Sequence, residues 1–202
     1  MITNKTRPLK KWFARVVYSL VILLLIIVGL GFWLKPDPFD FLSPHHPFKS
    51  AQAKSEYLTF YDKRAEIWPV DSAVLNIKTT QGNTFVRISG PENAEPIVLL
   101  HGAGGNVLQW MSNIKALSKD YRVYAIDIMF AQGRSIPSQL FTDADDYVNW
   151  LDEVLYQISP KQKVNLVGLS YGGWITAQYV KTYPEKVDKS VLLAPAGVVA
   201  SL

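Results

Sequence analysis

Two short stretches of the 202-residue sequence combine residue types that could attack an acyl carbon and stabilise the charge that follows. The first, Lys163–Gly173, reads KVNLVGLSYGG and contains Gly168-Leu169-Ser170-Tyr171-Gly172, a serine with glycine two positions to either side. An apolar strand pattern enters it and a helical pattern leaves it. A sharp strand-to-helix turn holds such a serine in a strained backbone conformation, with its hydroxyl pushed out of the sheet. Neighbouring backbone then passes too close for a Cβ two residues before or after, a demand that Gly168 and Gly172 meet; Gly173 gives further room. A helix starting at Tyr171 also aims its free N–H groups toward developing negative charge.

The second stretch, His101-Gly102-Ala103-Gly104-Gly105, follows the apolar run Ile97–Leu100. As a phosphate cradle it fails, because no G-K-[ST] follows and the G-x-G-x-x-G spacing is absent. As an oxyanion loop it works: glycines let the backbone turn an N–H inward at the carboxyl end of a strand. An ordinary glycine-rich turn is the blander alternative.

The elements that must position these stretches follow from periodicity. Val74–Thr79 and Thr84–Ser89 are short β-rich runs around Gln81-Gly82-Asn83, a hairpin signal. Ile97–Leu100 is continuously apolar, as buried central strands are. Val107, Leu108, Met111, Ile114 and Leu117 fall at helical spacing over 106–118, and Arg122–Ile126 is a further strand. Residues 143–158 are predicted helical, with Thr142 as cap, Asp145 three later and Pro160 as the stop. The Asp143/Asp145/Asp146 cluster reads as first-turn acids favoured by the helix dipole rather than as a carboxylate site. Val164–Leu169, Tyr171–Thr182 and Ser190–Ala194 then read as strand, helix and strand. The expected fold class is α/β, a mostly parallel sheet of about six strands with helices on both faces.

With these pieces placed, a family resemblance is visible. The run from 74 to 202 resembles the first six strands of the α/β-hydrolase fold, and specifically its serine esterase-like members. The matching segments are IVLLHGAGGN, VYAID, Gly133–Ser135, VNLVGLSYGG, YPEKV and SVLLAPAG. The resemblance implies that Ser170 is the nucleophile and that the backbone N–H groups of Ala103 and Tyr171 form the oxyanion hole. It makes Gly102, Gly104, Gly168 and Gly172 the supports of loop and elbow, with no metal or organic cofactor. It also argues against His101 as general base, since the histidine of the family's His-Gly pair supports the loop, and it makes Asp127 a structural turn acid. Asp127–Ser135 has one residue more than the family's usual D-x-x-G-x-G-x-S spacing. A serine nucleophile disfavours haloalkane dehalogenases and epoxide hydrolases; esterase, lipase, thioesterase, peptidase and carbon–carbon hydrolase stay open.

The family's triad runs Ser, then Asp or Glu, then His along the chain. After Ser170 this sequence has two acids, Glu185 and Asp188, and no histidine. Base and acid are therefore expected to lie outside it, with the sequence as the front portion of a longer hydrolase and Ser190–Ala194 an unpaired edge. The alternative is a non-catalytic, membrane-tethered binding module that has lost its base.

Val16 to Leu34 contains no charged residue. At 1.5 Å per residue it spans roughly 28 Å as a helix, close to the hydrocarbon thickness of a bilayer. Lys5, Arg7, Lys10, Lys11 and Arg15 precede it, whereas Lys35 just after it is balanced by Asp37 and Asp40. The positive-inside rule then gives a cytoplasmic tail over 1–15, a transmembrane helix over 16–34 and a hydrolase domain outside the cytoplasm. A cleaved signal peptide with Gly29-Leu30-Gly31 as its site is the competing reading and gives a secreted domain.

Residues 35–73 are expected to hold a proline-containing spacer, in which His45 and His46 are solvated linker rather than metal ligands, and then a helix over 50–66. Composition excludes other classes. No Cys is present, which removes zinc ribbons, thiol nucleophiles and redox pairs. Without the five N-terminal cations, the 21 basic residues fall to 16 against 17 acidic, so the body is neutral and gives no warrant for nucleic-acid binding. The expected partners are a small acyl substrate and the lipid bilayer.

Overall fold

In a computed structural model, which describes residues 7–33, 43 and 46–197 with side chains from Trp12 to Leu30, at Ser43 and from His46 onward, the chain divides into two units, Met1–Asp40 and Phe41–Leu202. The first unit contains a single described helix, α1 (Arg7–Trp33). Over Trp12–Leu30 its mean hydropathy is 2.6 and all of its side chains are exposed. From Arg7 onward the basic tail and the apolar span, expected as separate segments, share this helix, because Lys and Arg are good helix formers and nothing breaks it before Val16. Leu34, His45 and most of the proline-containing spacer lie outside the described residues.

The second unit opens with α2 (Ala51–Ala65), capped by Ser50, whose hydroxyl accepts from Ala53 N at 3.1 Å. Strands β1 (Ser72–Thr79) and β2 (Gly82–Ser89) form the expected hairpin. Then follow β3 (Glu95–Leu100), a 3₁₀ turn at Val107–Trp110, α3 (Met111–Leu117), β4 (Tyr121–Ile126), β5 (Ile136–Pro137) and α4 (Ala144–Ile158). The described chain closes with β6 (Val164–Leu169), α5 (Tyr171–Thr182), a 3₁₀ turn at Pro184–Lys186 and β7 (Val187–Leu193).

The sheet is mixed and mostly parallel, in the order β1-β2-β4-β3-β6-β7, with β5 on β2; only β2 runs against the rest. Along β3, Val98 and Leu100 enter one core with Ile126, Trp150, Leu151 and Ile175. Ile97 and Leu99 enter the other with Tyr61, Phe85, Trp110 and Ile114. This two-residue alternation, apolar on both faces, is what a central strand covered by helices requires.

Three sequence-based expectations are corrected. Among the described residues the sheet has seven strands rather than about six: β5 is two residues long, includes Pro137 and carries no strand pattern, its pairing being fixed by Gly82 and Asn83 across from it. Residues 106–118 are a 3₁₀ turn followed by a helix rather than one helix, because Asn106 caps Leu108 N at 3.0 Å and Asp127 accepts Val107 N at 2.8 Å. The cap of α4 is Asp143, which accepts from Asp145 N and Asp146 N, while Thr142 N donates back to Asp146.

Candidate active site

The carboxyl ends of β3 and β6 lie side by side, with Leu100 in register with Gly168, so the two stretches singled out by chemistry emerge at one place. Ser170 joins β6 to α5 with φ 49° and ψ −107°, a positive-φ conformation that costs a non-glycine residue about 1–3 kcal/mol. The surroundings over-determine it. Ser170 N donates to Leu193 O on β7 at 2.9 Å, and Ser170 O accepts from Trp174 N at 3.0 Å and Ala196 N at 2.9 Å. A Cβ on Gly168 would strike Gly172 O and Thr176 Oγ1, and one on Gly172 would strike Leu100 O and His101 O. The glycine spacing thus exists to let strand, serine and helix pass within backbone contact. Ser170 itself is half-buried at the surface end of the turn.

The loop after β3 reaches this serine: a Cβ placed on Gly102 would lie 3.5 Å from Ser170 Cβ. Ala103 and Gly104 are exposed at its tip. Among the described residues no backbone acceptor takes the Ala103 or the Tyr171 N–H. Two free amides at the ends of adjacent parallel strands, beside a strained serine, form an arrangement that can hold a developing oxyanion. Gly104 sits at φ 69°, and Gly105 N closes the turn onto Gly102 O at 3.1 Å.

His101 is fully buried beneath the loop. Its Nδ1–H donates to Gly102 O at 2.8 Å, and its Nε2 accepts from Ile128 N at 3.0 Å, an assignment fixed by Ile128 being a donor. Burial pushes the imidazole down to about 4. Both ring nitrogens serve the backbone and neither faces a reacting atom. Asp127, also fully buried, accepts Val107 N and Arg134 N at 2.8 Å each and Tyr61 OH at 3.3 Å, and burial raises its carboxyl to about 6. It ties the loops after β3 and β4 to α2. Ser135, from the Gly133–Ser135 segment, donates to Asp127 O and accepts Phe85 N at 2.9 Å.

The two acids beyond the serine are elsewhere. Glu185 lies in the turn before β7, and Asp188 is the second residue of that strand, paired with Lys189 at 3.3 Å. Ser170 leaves the sheet at the level of Leu193, about 17 Å further along the strand. Among the described residues no group of three His, Cys, Asp or Glu side chains is placed to hold a metal.

The sequence left two contributors to the site unmarked. Gln109 Oε1 accepts Gly102 N at 2.8 Å from an exposed position seven residues along the chain. Tyr57 on α2 donates to Gln132 O at 3.0 Å and accepts from Asn106 Nδ2 at 2.8 Å, pinning the flank of the same loop. Beside the elbow, Tyr171 and Trp174 stack at 5.6 Å and 14°, and Tyr147, Phe141 and Phe130 extend the aromatic surface edge to face.

A parallel-centred sheet with a strained serine at the end of one strand and a glycine loop at the end of its neighbour defines an α/β protein built around a strand-to-helix serine elbow. The α/β-hydrolase fold family matches residues 95–201. The uncharacterized carboxylesterase nap of Bacillus subtilis strain 168 is 39% identical over 140 residues, 69% of this chain and 46% of that protein. Carboxylesterase YbfK of the same organism is 31% identical over 149 residues, 74% of this chain and 50% of its own length. The crystal structure of the Bacillus subtilis naproxen esterase (carboxylesterase NP) superposes with a TM-score of 0.69 at 38% identity, over 74% of this chain and 52% of that one. The chain belongs to the α/β-hydrolase fold family and is carboxylesterase-like within it. It spans about half the length of the curated relatives it matches.

Proposed function

We propose that the chain is the front part of a membrane-anchored serine hydrolase that cleaves carboxylic esters outside the cytoplasm. The observation that carries this reading is the contact of the Gly102 loop with Ser170, 3.5 Å between Ser170 Cβ and a Cβ built on Gly102, with the Ala103 and Tyr171 amides free beside it. Ser170 Oγ attacks the ester carbonyl carbon and gives its proton to a base. The carbonyl oxygen becomes an oxyanion held by Ala103 N–H and Tyr171 N–H, assisted by the positive end of α5. Collapse breaks the carbon–oxygen bond, the leaving alcohol takes the proton, and water then hydrolyses the acyl-serine by the same steps.

His101 is committed to the backbone, no histidine follows Ser170, and the chain spans about half the length of its relatives, so this reading takes the base and its orienting acid from residues outside the sequence. The substrate class is a small carboxylic ester, supported by the carboxylesterase relatives; the neighbouring naproxen esterase suits the aromatic surface of Tyr171 and Trp174 to an aryl acyl group. The anchor reading is supported by the apolar Trp12–Leu30 and its flanking cations, with the N-terminus cytoplasmic.

The test is turnover of a short-chain p-nitrophenyl ester and of an aryl-acid ester by the membrane-inserted full-length gene product. Turnover that disappears in Ser170→Ala supports the mechanism; equal turnover by the alanine variant rejects it. A folded wild type that neither turns over esters nor reacts with serine-directed phosphonates favours the non-catalytic module. These 202 residues contain no Cys, so a Ser55→Cys variant of them carries a single maleimide target. Labelling of intact cells by a membrane-impermeant maleimide is expected, and labelling only after lysis would reverse the orientation.

A further inference from the structure

The free Ala103 N–H shares its peptide with Gly102 O, and a trans peptide points the two in opposite directions. Gly102 O is held inward by His101 Nδ1 at 2.8 Å and Gly105 N at 3.1 Å, which turns Ala103 N–H outward. That orientation also depends on the preceding peptide, since Gly102 lies between the two and glycine offers little resistance to rotation. The preceding peptide is held at both ends. His101 O accepts from Gly172 N in the first turn of α5 at 3.1 Å, and Gly102 N donates to Gln109 Oε1 at 2.8 Å. The Gln109 carboxamide fills the hollow of the turn closely enough that a Cβ on Gly105 would approach its Oε1 to 2.9 Å.

We propose that Gln109 is the positioning residue of the oxyanion loop: by accepting Gly102 N–H it locks the peptide that precedes Ala103 and aims the Ala103 amide at the reacting carbonyl oxygen. The inference rests on the serine-hydrolase reading. Gln109 acts through Gly102 rather than on the reacting atoms, and residue 109 is exposed whereas Gly102 is buried, so removing the acceptor takes a partner from the Gly102 N–H without opening the core. Misaimed donors weaken binding of the transition state more than binding of the ground state, which places the loss in kcat.

Gln109→Met keeps the length of the side chain and removes the acceptor; Gln109→Glu keeps an acceptor and adds a charge near the oxyanion. In the full-length gene product, Gln109→Met is expected to lower kcat about tenfold with KM within about twofold, well short of deleting a donor outright. The exchange rate of the Gly102 amide is expected to rise about tenfold, with the melting temperature lowered by no more than a few degrees. Gln109→Glu is expected to restore slow exchange at Gly102, while its kcat relative to wild type falls as pH rises through the carboxylate range. Unchanged Gly102 exchange in Gln109→Met overturns the proposal, as does wild-type kcat in that variant beside a Ser170-dependent wild-type activity. Should the wild type show no Ser170-dependent turnover, the hydrolase reading fails, and Gly102 exchange alone still decides whether Gln109 holds the loop.

Discussion

The two halves of the site are held by different means. The elbow is fixed by backbone: Ser170 is hydrogen-bonded through its own N and O, and Gly168 and Gly172 leave no room for any other residue. The glycine loop after β3 is fixed by side chains that reach in from four places, His101 beneath it, Gln109 after it, Asp127 just past β4 and Tyr57 from α2. Steric confinement gives one conformation or none. Hydrogen-bonded confinement is graded, and each donor or acceptor can be removed separately.

The sharpest way to break this contrast is a pair of glycine substitutions. Gly172→Ala drives a methyl group into two carbonyl oxygens and is expected to cost about 3 kcal/mol of unfolding free energy or to prevent folding. Gly102→Ala meets only ordinary contacts of 3.5 to 3.7 Å and is expected to fold with a loss below about 1 kcal/mol. Its methyl faces Ser170, so it is expected to lose turnover instead. Thermal unfolding of the detergent-solubilised chain separates the two, and equal destabilisation would erase the distinction.

Asp127→Asn leaves three donors facing a single amide oxygen and is expected to cost about 2 kcal/mol. It also changes the pH response. His101 falls from 6.5 to about 4 on folding, so its contribution is fully present above pH 6.5 and is lost as pH drops toward 4. Asp127 rises from 3.8 to about 6, so its contribution is present below pH 3.8 and is lost as pH climbs toward 6. The two offset each other between pH 4 and 6. Removing Asp127 is expected to expose the histidine slope, up to about 1.4 kcal/mol per pH unit, with the variant gaining on wild type as pH rises from 4 to 6. A pH-independent difference between variant and wild type would contradict the assignment.

Tyr61→Phe removes one hydroxyl from Asp127 and is expected to cost about 1 kcal/mol, which a denaturation midpoint resolves. Ser170→Gly is expected to go the other way, stabilising the chain by about 1 kcal/mol through relief of the positive φ, whereas Ser170→Ala keeps the strain. Equal stability of the two variants would show that the elbow is not strained.

The same contrast decides what could be read in the sequence. Glycine spacing, an apolar strand before Ser170 and a helical period after it encode the elbow locally, and β6 and α5 fall on the expected residues. The unbroken apolar run Ile97–Leu100 likewise announces a central strand. Gln109 and Tyr57 are ordinary polar and aromatic residues in primary structure, and they join the site only because α2 and the 3₁₀ turn fold against the loop. Strand β5 escapes for the same reason, since two residues including a proline pair only where β2 provides a partner. After Val187, β7 exposes every residue, Val191, Leu192 and Leu193 among them, and among the described residues it has a neighbour on one side only, as expected for the Ser190–Ala194 run.

The central claim is that Ser170 shares a pocket with the Ala103 and Tyr171 amides. A crystal structure of the full-length gene product treated with a serine-directed phosphonate tests it most directly. Phosphorus bonded to Ser170 Oγ, with one phosphonyl oxygen about 3 Å from both Ala103 N and Tyr171 N, is the expected result. An unmodified Ser170, or an adduct whose oxygen points away from both amides, would contradict it.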